Sequence, residues 1–274
     1  MSPVWVRLVD VSATTSGFYR VAIGGVALAI YLLVSGQRLR LSNWAWKMLL
    51  VAAVFYALDL WFWHRSINIV GPGLATLLAN FQVFFMMLAG VVLLHQKPGA
   101  AQLVAIPLAL LGLGLIVGVD WKNAPGDYRL GVIFGLLTAV AYAGYLLTMR
   151  LVRAKSEHKI PSREIAVMSI AVAVMLAASA AIEGESLAIP SLTDAGWLAG
   201  YGLLSHALGL MFIASSLPQV STTEAGLALL LQPTLSFIWD ILLFARPMTV
   251  TEILGATLAL FAIYLGARRP SKQP

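Results

Sequence analysis

Nine apolar segments, each near the twenty or so residues that a helix needs to cross hydrocarbon, run almost end to end along this chain of 274 residues. They fall near residues 16–36, 44–66, 71–95, 100–119, 129–152, 162–182, 195–216, 220–244 and 249–268. Lipid supplies no water to satisfy backbone amides, so segments this apolar must be helical. Composition agrees: 60% of the residues are hydrophobic and only 11% charged, where a soluble domain carries about a quarter charged. A mean hydropathy of +0.87 is too high to come from one anchor helix. The expected fold class is an all-α polytopic membrane protein. Its connections are short and rich in turn residues, as at Gly71-Pro72-Gly73, Ala124-Pro125-Gly126 and Pro190-Ser191. No basic run precedes a short apolar core at the start, so a cleavable leader is not expected.

The net charge of +6 comes from 18 Lys and Arg against 12 Asp and Glu. Basic aromatic grooves of the kind that bind nucleic acid are absent, and cytoplasmic loops account for the excess. When the segments alternate across a bilayer, Arg38, Arg40, Lys47, Lys97, Arg150, Arg153, Lys155, Lys159, Arg163, Arg268, Arg269 and Lys272 share one side. The other side holds Arg7, Arg20, Arg65, Lys122, Arg129 and Arg246 with Asp10, Asp120, Asp127, Glu183, Glu185 and Asp194. Twelve basic residues against six predict a cytoplasmic C-terminus. The chain has no cysteine, which excludes disulfides and thiolate chemistry. No phosphate-binding Gly-Lys-Ser/Thr loop is present, so no nucleotide partner is expected. The four histidines, His64, His95, His158 and His206, lack metal-ligand spacing, and no Gly-x-Ser-x-Gly elbow occurs. No cofactor and no metal are expected.

The two halves repeat at an offset of about 150 residues. Gln82 falls on Gln232, Ala75 on Ala225 and Leu77 on Leu227; one helix earlier Phe62 meets Phe212, Ser66 meets Ser216 and Ala57 meets Ala207. Lys97-Pro98 and Arg246-Pro247 match after a shift of one residue, and Leu108-Ala109-Leu110 meets Leu258-Ala259-Leu260. Thr148-Met149-Arg150-Leu151-Val152 further resembles Trp5-Val6-Arg7-Leu8-Val9. On that correspondence the first helix is truncated, since the residues before Asp10 reach only about half-way through a bilayer at 1.5 Å each. A short start lying at the interface is the alternative. The expected plan is five plus five helices, with repeats at 1–122 and 123–274. An odd number per half makes the second copy enter from the opposite side, the inverted repeat of many secondary transporters.

Several motifs resemble the drug/metabolite transporter superfamily, and within it the EamA-type ten-helix exporters. They are Pro3-Val4-Trp5-Val6-Arg7-Leu8 with Phe18-Tyr19-Arg20; Ala57-Leu58-Asp59-Leu60 with Trp63-His64-Arg65-Ser66-Ile67; Ala75-Thr76-Leu77-Leu78-Ala79-Asn80; and Leu229-Leu230-Leu231-Gln232-Pro233 with Gly255 and Tyr264-Leu265. The resemblance covers nearly the whole chain. It implies export of small metabolites from the bacterial cytoplasm across the inner membrane, with amino-acid exporters of the YddG type foremost. The sequence departs from the family pattern in two ways. Val83 stands where a proline often follows the first-half Asn. His95-Gln96 and Ala245-Arg246 replace the Gly-Glu that often closes each fourth helix.

Polar groups inside hydrocarbon are costly, so each needs a reason. Tyr56, Asp59 and Trp63 are three and four residues apart and share one helix face. That stripe suits an amino group, held by charge and by cation–π attraction; the competing reading pairs Asp59 with Arg65, Arg20 or a helix end. Gln232, Ser236 and Asp240 recur every fourth residue, and Asp59 and Asp240 are the candidates for proton coupling. Asn80, the repeat-related pair Gln82 and Gln232, Tyr142 and Tyr145 on one helix, and His206 opposite Tyr56 in the repeat complete the candidate substrate site. Trp239 lies deep in its segment, and interhelical packing competes for all of these. Trp44, Trp46, Trp121 and Trp197 lie near segment ends and read as interfacial anchors.

The first functional reading is a secondary exporter of small metabolites, amino acids above all, working by alternating access through a central cavity between the repeats, with lipid around it. An intramembrane enzyme on a lipid-soluble substrate is the alternative, with Asp59 and His64, or Asp240 and His206, as acid–base pairs. The repeat and the lack of a compact catalytic motif stand against it. Phosphorylated or nucleotide-linked sugars would require several cavity cations, and mid-membrane Lys and Arg are nearly absent.

Overall fold

The computed structural model describes residues 2–37, 39–95, 97–117, 126–156, 160–216, 222–245 and 248–267, with backbone alone at 94, 213–216 and 222–230. Arg38, Asp120, Trp121, Lys122, His158, Lys159, Arg246, Arg268, Arg269 and Lys272, named in the sequence reading, lie outside the described residues. The described residues form helices joined by short irregular connections. α1 is Ser2–Leu8, α2 Ala13–Val34, α3 Asn43–Val70, α4 Pro72–Ala79, α5 Gln82–Leu94, α6 Ala100–Val117, α7 Gly126–Ala154 and α8 Ser162–Glu183. α9, Leu192–Gly200, leads through π-helical turns at Tyr201–Leu208 into α10, Gly209–Ser216; α11 is Thr222–Phe244 and α12 Val250–Ala267. Among the described residues no strand occurs, and seven helices are long and apolar enough to cross a membrane.

The repeat is visible in element lengths. α2 and α8 both have 22 residues, starting at 13 and 162, and α6 and α12 both have 18, starting at 100 and 250. α4 with α5 spans 72–94, and α11 spans 222–244. The protein is an all-α integral membrane protein with an inverted repeat.

The chain divides into two compact units. The first comprises Met1–Arg65 and Gly144–Gln219. Here α2 packs on its repeat equivalent α8 and on the π-helical turns. The contact is close because α2 presents Gly24 and Gly25. A Cβ on Gly25 would stand 2.9 Å from Ser169 Cβ, and one on Gly24 would stand 2.8 Å from the Gly202 carbonyl oxygen. Small residues are how membrane helices bring backbones together.

Charges of this unit gather in two groups, one towards each end of α3. Asp10 N–H donates to Asp194 Oδ1 at 3.0 Å, and Ser12 Oγ donates to Glu185 Oε2 at 2.5 Å. Glu183 accepts from Thr14 Oγ1 at 3.0 Å and from Trp61 Nε1 at 2.6 Å, and pairs with Arg65. At the other end of α3, about 30 Å away along the helix, Lys155 Nζ stands 4.2 Å from the Trp44 ring centre. Arg153 pairs there with the buried Glu164 at 2.9 Å.

The second unit comprises Ser66–Ala143 and Val220–Pro274. It too packs repeat equivalents on each other, α6 on α12 and α4 on α11. A Cβ on Gly112 would lie 2.7 Å from Ala259 N and 2.8 Å from the Gly255 carbonyl oxygen, so α6 and α12 touch through their backbones. The span at 72–94 is broken: Asn80 N–H bonds back to Thr76 and Leu77 carbonyls, Phe81 N–H to Leu78, and α5 restarts at Gln82. α4 begins at Gly71, φ 87°, and Asp240 of α11 accepts from Gly73 N–H at 3.0 Å. A carboxylate against the first turn of a helix satisfies an otherwise orphan amide and its dipole.

α5 and α11 both end in left-handed residues, His95 at φ 51° and Ala245 at φ 48°. These are the positions where the family pattern often has glycine. Left-handed backbone costs a non-glycine residue about 1 kcal/mol or more. Ala245→Gly and His95→Gly are each expected to stabilise the protein by about 0.5–1 kcal/mol, allowing for glycine's greater unfolded freedom. Thermal unfolding in detergent reads this, and unchanged or lowered stability contradicts it.

Candidate functional site

The richest assembly of buried polar and aromatic groups lies within the first unit. The period of α3 places Tyr56, Asp59 and Trp63 on one face, each less than a tenth exposed. Tyr145 of α7 brings its ring centre to 4.8 Å from that of Tyr56. His206 stacks on Tyr56 with ring centres 6.1 Å apart. Tyr56 and His206 occupy matching positions of the repeat. Two such positions meet only where the pseudo-twofold axis passes close to both.

His206 is fully buried, and its Nε2 shares a hydrogen bond of 2.7 Å with Ser169 Oγ of α8, while its Nδ1 is buried without a partner. The π-helical turns explain how His206 and Tyr201 are both fully buried. On an α-helix, residues five apart point about 140° away from each other; the wider π turns relax that separation.

Arg20, in the second turn of α2, joins this cluster. Its Cζ lies 5.5 Å from the Trp63 ring centre and 5.1 Å from that of Tyr201. The cation over Trp63 is therefore the chain's own guanidinium, on a ring that the sequence reading offered to a ligand's amino group. Arg20 Nη1 donates to Tyr201 Oη at 3.1 Å. Tyr201 Oη lies 3.2 Å from His64 Nε2, and His64 Nδ1 lies 2.7 Å from the Leu60 carbonyl oxygen. A carbonyl only accepts, so His64 donates through Nδ1; its neutral Nε2 then accepts the Tyr201 hydroxyl proton. That leaves the Tyr201 oxygen lone pairs to receive Arg20. The order of donors fixes every member, and both His64 nitrogens are taken by these partners, so His64 does not form the acid–base pair with Asp59 that an enzyme would need.

Asp59 accepts no hydrogen bond and makes no ion pair within 4 Å among the described residues. Arg65, one of the partners considered from sequence, is engaged by Glu183. Arg20 Nε is buried without a partner among the described residues.

The other sequence candidates sit in the second unit. Asn80 Nδ2 donates to the Thr76 carbonyl of its own helix at 2.8 Å. Gln82 Oε1 and Trp239 Nε1 are buried without partners among the described residues. Gln232 is exposed, and Ser236 Oγ turns back to the Gln232 carbonyl at 2.7 Å. Asp240 caps α4 as described, and Tyr142 is half-buried. Two members of the cluster are absent from the candidate site read from the sequence, although Arg20 is named there as a possible partner of Asp59. Arg20 stands just inside an apolar segment, where an intramembrane cation is itself a signal; it was counted with the loop charges instead. Tyr201 offered no α-periodic signal at all.

A repeated helical membrane fold with a buried polar cluster joining both repeats defines an integral membrane transporter. A family model described as the EamA-like transporter family matches residues 1–118 and again 129–267, and the chain belongs to that family. It is 27% identical over 246 residues to a Pseudopaline exporter, CntI, of Pseudomonas aeruginosa strain PAO1, covering 89% of this chain and 82% of that one. An uncharacterized transporter, YwfM, of Bacillus subtilis is 23% identical over 260 residues, covering 94% and 85%. Another uncharacterized transporter, from Haemophilus influenzae, is 27% identical over 149 residues; the match takes in 53% of this chain and 48% of the relative, about half its length. A solved crystal structure shares the fold with a TM-score of 0.66 over 98% of this chain and 96% of its own, at 16% identity.

Ser169→Ala would strand the buried His206 Nε2. It is expected to cost about 1–3 kcal/mol, while Ser179→Ala, at the exposed Glu183, costs much less. Unfolding in detergent compares the two, and equal effects contradict the placement of His206.

Proposed function

We propose that the chain exports small metabolites, amino acids above all, across the bacterial cytoplasmic membrane by alternating access, with its C-terminus in the cytoplasm. Asp59 is the observation that carries the reading. It is a buried carboxyl group with no hydrogen-bond or ion-pair partner among the described residues, on the same helix face as Trp63 and as Tyr56, which meets Tyr145 and His206 of the second repeat. Such a group is expensive to keep in a membrane, and a ligand's ammonium would repay it with charge and hydrogen bonds. The faces of Tyr56 and Tyr145 add an apolar wall to the same place. Two repeats, taken at 1–122 and 123–274, give alternating access its physical basis. Copies inserted with opposite orientation exchange conformations, one closing as the other opens.

Asn80 and Gln82 at the helix break, with Tyr142, Gln232, Ser236 and Trp239, are proposed to serve the substrate's passage. For proton coupling we favour Asp59 over Asp240, because Asp240 is already committed to Gly73 N–H. The pseudopaline exporter relative supports export of a small metabolite rather than uptake.

The test is flux of a labelled amino-acid panel in proteoliposomes. Saturable movement of some members is expected, with Asp59→Asn lowering it about tenfold or more while the variant still elutes as a folded particle. An imposed pH gradient should change the rate in the parent and not in the variant. No movement above empty liposomes, from folded protein, removes the amino-acid reading; equal loss of folding and flux makes Asp59 a packing residue.

A further inference from the structure

We infer that Arg20 is a carboxylate-binding subsite of the cluster around Tyr56, so that the ligand is a zwitterion held at Arg20 by its carboxylate and at Asp59 by its ammonium. The inference rests on the reading of Asp59 given above and adds the group that selects the other end of the ligand.

A guanidinium inside a membrane is normally neutralised by a carboxylate. Among the described residues Arg65 is paired in this way with Glu183, and Arg153 with Glu164. Arg20 makes no ion pair within 4 Å among the described residues. Its support comes instead from two aromatic faces and one phenol oxygen. These hold the planar head without a carboxylate in contact, and Nε is buried and unpartnered among the described residues.

Asp59 is in the converse position, a buried carboxyl group that no donor reaches among the described residues. The two groups are near enough for their charges to act on each other, yet they do not form a contact pair. Trp63 connects them: it carries the guanidinium over its ring and lies one helical turn beyond Asp59 on the same face. An amine would satisfy Asp59 and leave Arg20 facing nothing. A simple anion would do the reverse. A molecule with a carboxylate and an ammonium a few bonds apart satisfies both, and its net charge of zero adds none to the membrane interior.

The donor chain through Tyr201 and His64 gives Arg20 a fixed direction. Tyr201, donating to His64, presents only its lone pairs to Nη1. The remaining guanidinium donors are thereby held in one orientation, and a planar fork of this kind matches a carboxylate.

The experiment uses the full chain in detergent, with L-leucine and L-phenylalanine as probes beside their amides, which lack the carboxylate, and their N-acetyl derivatives, which lack the ammonium. Binding is read by intrinsic tryptophan fluorescence, Trp63 lying against Arg20, and by thermal stabilisation. The parent is expected to prefer the amino acid over its amide by about tenfold or more. Arg20→Gln should bring that ratio to near unity, with Arg20→Lys intermediate. Asp59→Asn should abolish discrimination against the N-acetyl compounds and keep the preference over the amides. An unchanged ratio in Arg20→Gln overturns the inference, and so does a parent that neither amino acid stabilises.

Should Arg20→Gln not fold, Tyr201→Phe removes the oxygen that holds Nη1. It is then expected to weaken the preference about threefold, and an unchanged preference overturns the inference. Flux in proteoliposomes separates the two readings. Transport that ignores the carboxylate leaves the exporter standing without this subsite, whereas binding selectivity without transport leaves the subsite without the exporter.

Discussion

Between helices in a bilayer the hydrophobic effect does little, because lipid tails are as apolar as leucine. Cohesion has to come from close packing, and in this protein close packing means glycine. In the first unit α2 reaches α8 and the π-helical turns through Gly24 and Gly25; in the second, α6 reaches α12 through Gly112 and Gly255. The large aliphatic side chains do the opposite job. Leu33, Ile182 and Leu242 are mostly exposed, at positions that suit acyl chains better than a neighbouring helix. Each unit packs helices on their own repeat equivalents, so one sequence solution to close approach serves twice.

Charge is the second constraint, and the protein meets it in two different ways. At the ends of α3 it uses short-range neutralisation. Glu183 collects Arg65, Thr14 and Trp61, and Glu164 takes Arg153 and Ser156. Deeper in, Arg20 and Asp59 are left without ion pairs, and Arg20 is steadied by aromatic rings and a phenol. A group supported but not neutralised retains its capacity to bind. That difference, more than depth, separates the charges that hold helices together from those proposed here to bind.

The repeat is not perfect, and its departure coincides with the cluster. α3 is an unbroken α-helix through Tyr56, Asp59 and Trp63, whereas its counterpart in the second half widens into π turns at Tyr201–Leu208. Those turns supply Tyr201 to Arg20 and His206 to Tyr56. A strictly symmetric pair of helices would present matching groups to both sides of the axis. The π turns give the cluster unlike ends, as the proposed ligand with a positive and a negative pole requires.

The helices, their approximate bounds and the repeat were legible in one dimension, because lipid converts run length and apolarity directly into helix, and polar landmarks such as Gln82 and Gln232 mark the offset. The left-handed caps at His95 and Ala245 were half-legible, as places where an expected glycine was missing. The face shared by Tyr56, Asp59 and Trp63 followed from helical period alone. The partners of those groups did not. Arg20 was read as a loop charge, and Tyr201 fell on no α-helical face because π turns have no signature in spacing. Asp240 was one of two carboxylates open to proton work until the fold set it against Gly73 N–H. Sequence determines which segments enter the membrane, since that depends on each segment's own transfer into lipid. Only the packed structure decides which polar groups satisfy each other and which wait for a ligand, since that depends on atoms brought together from distant parts of the chain.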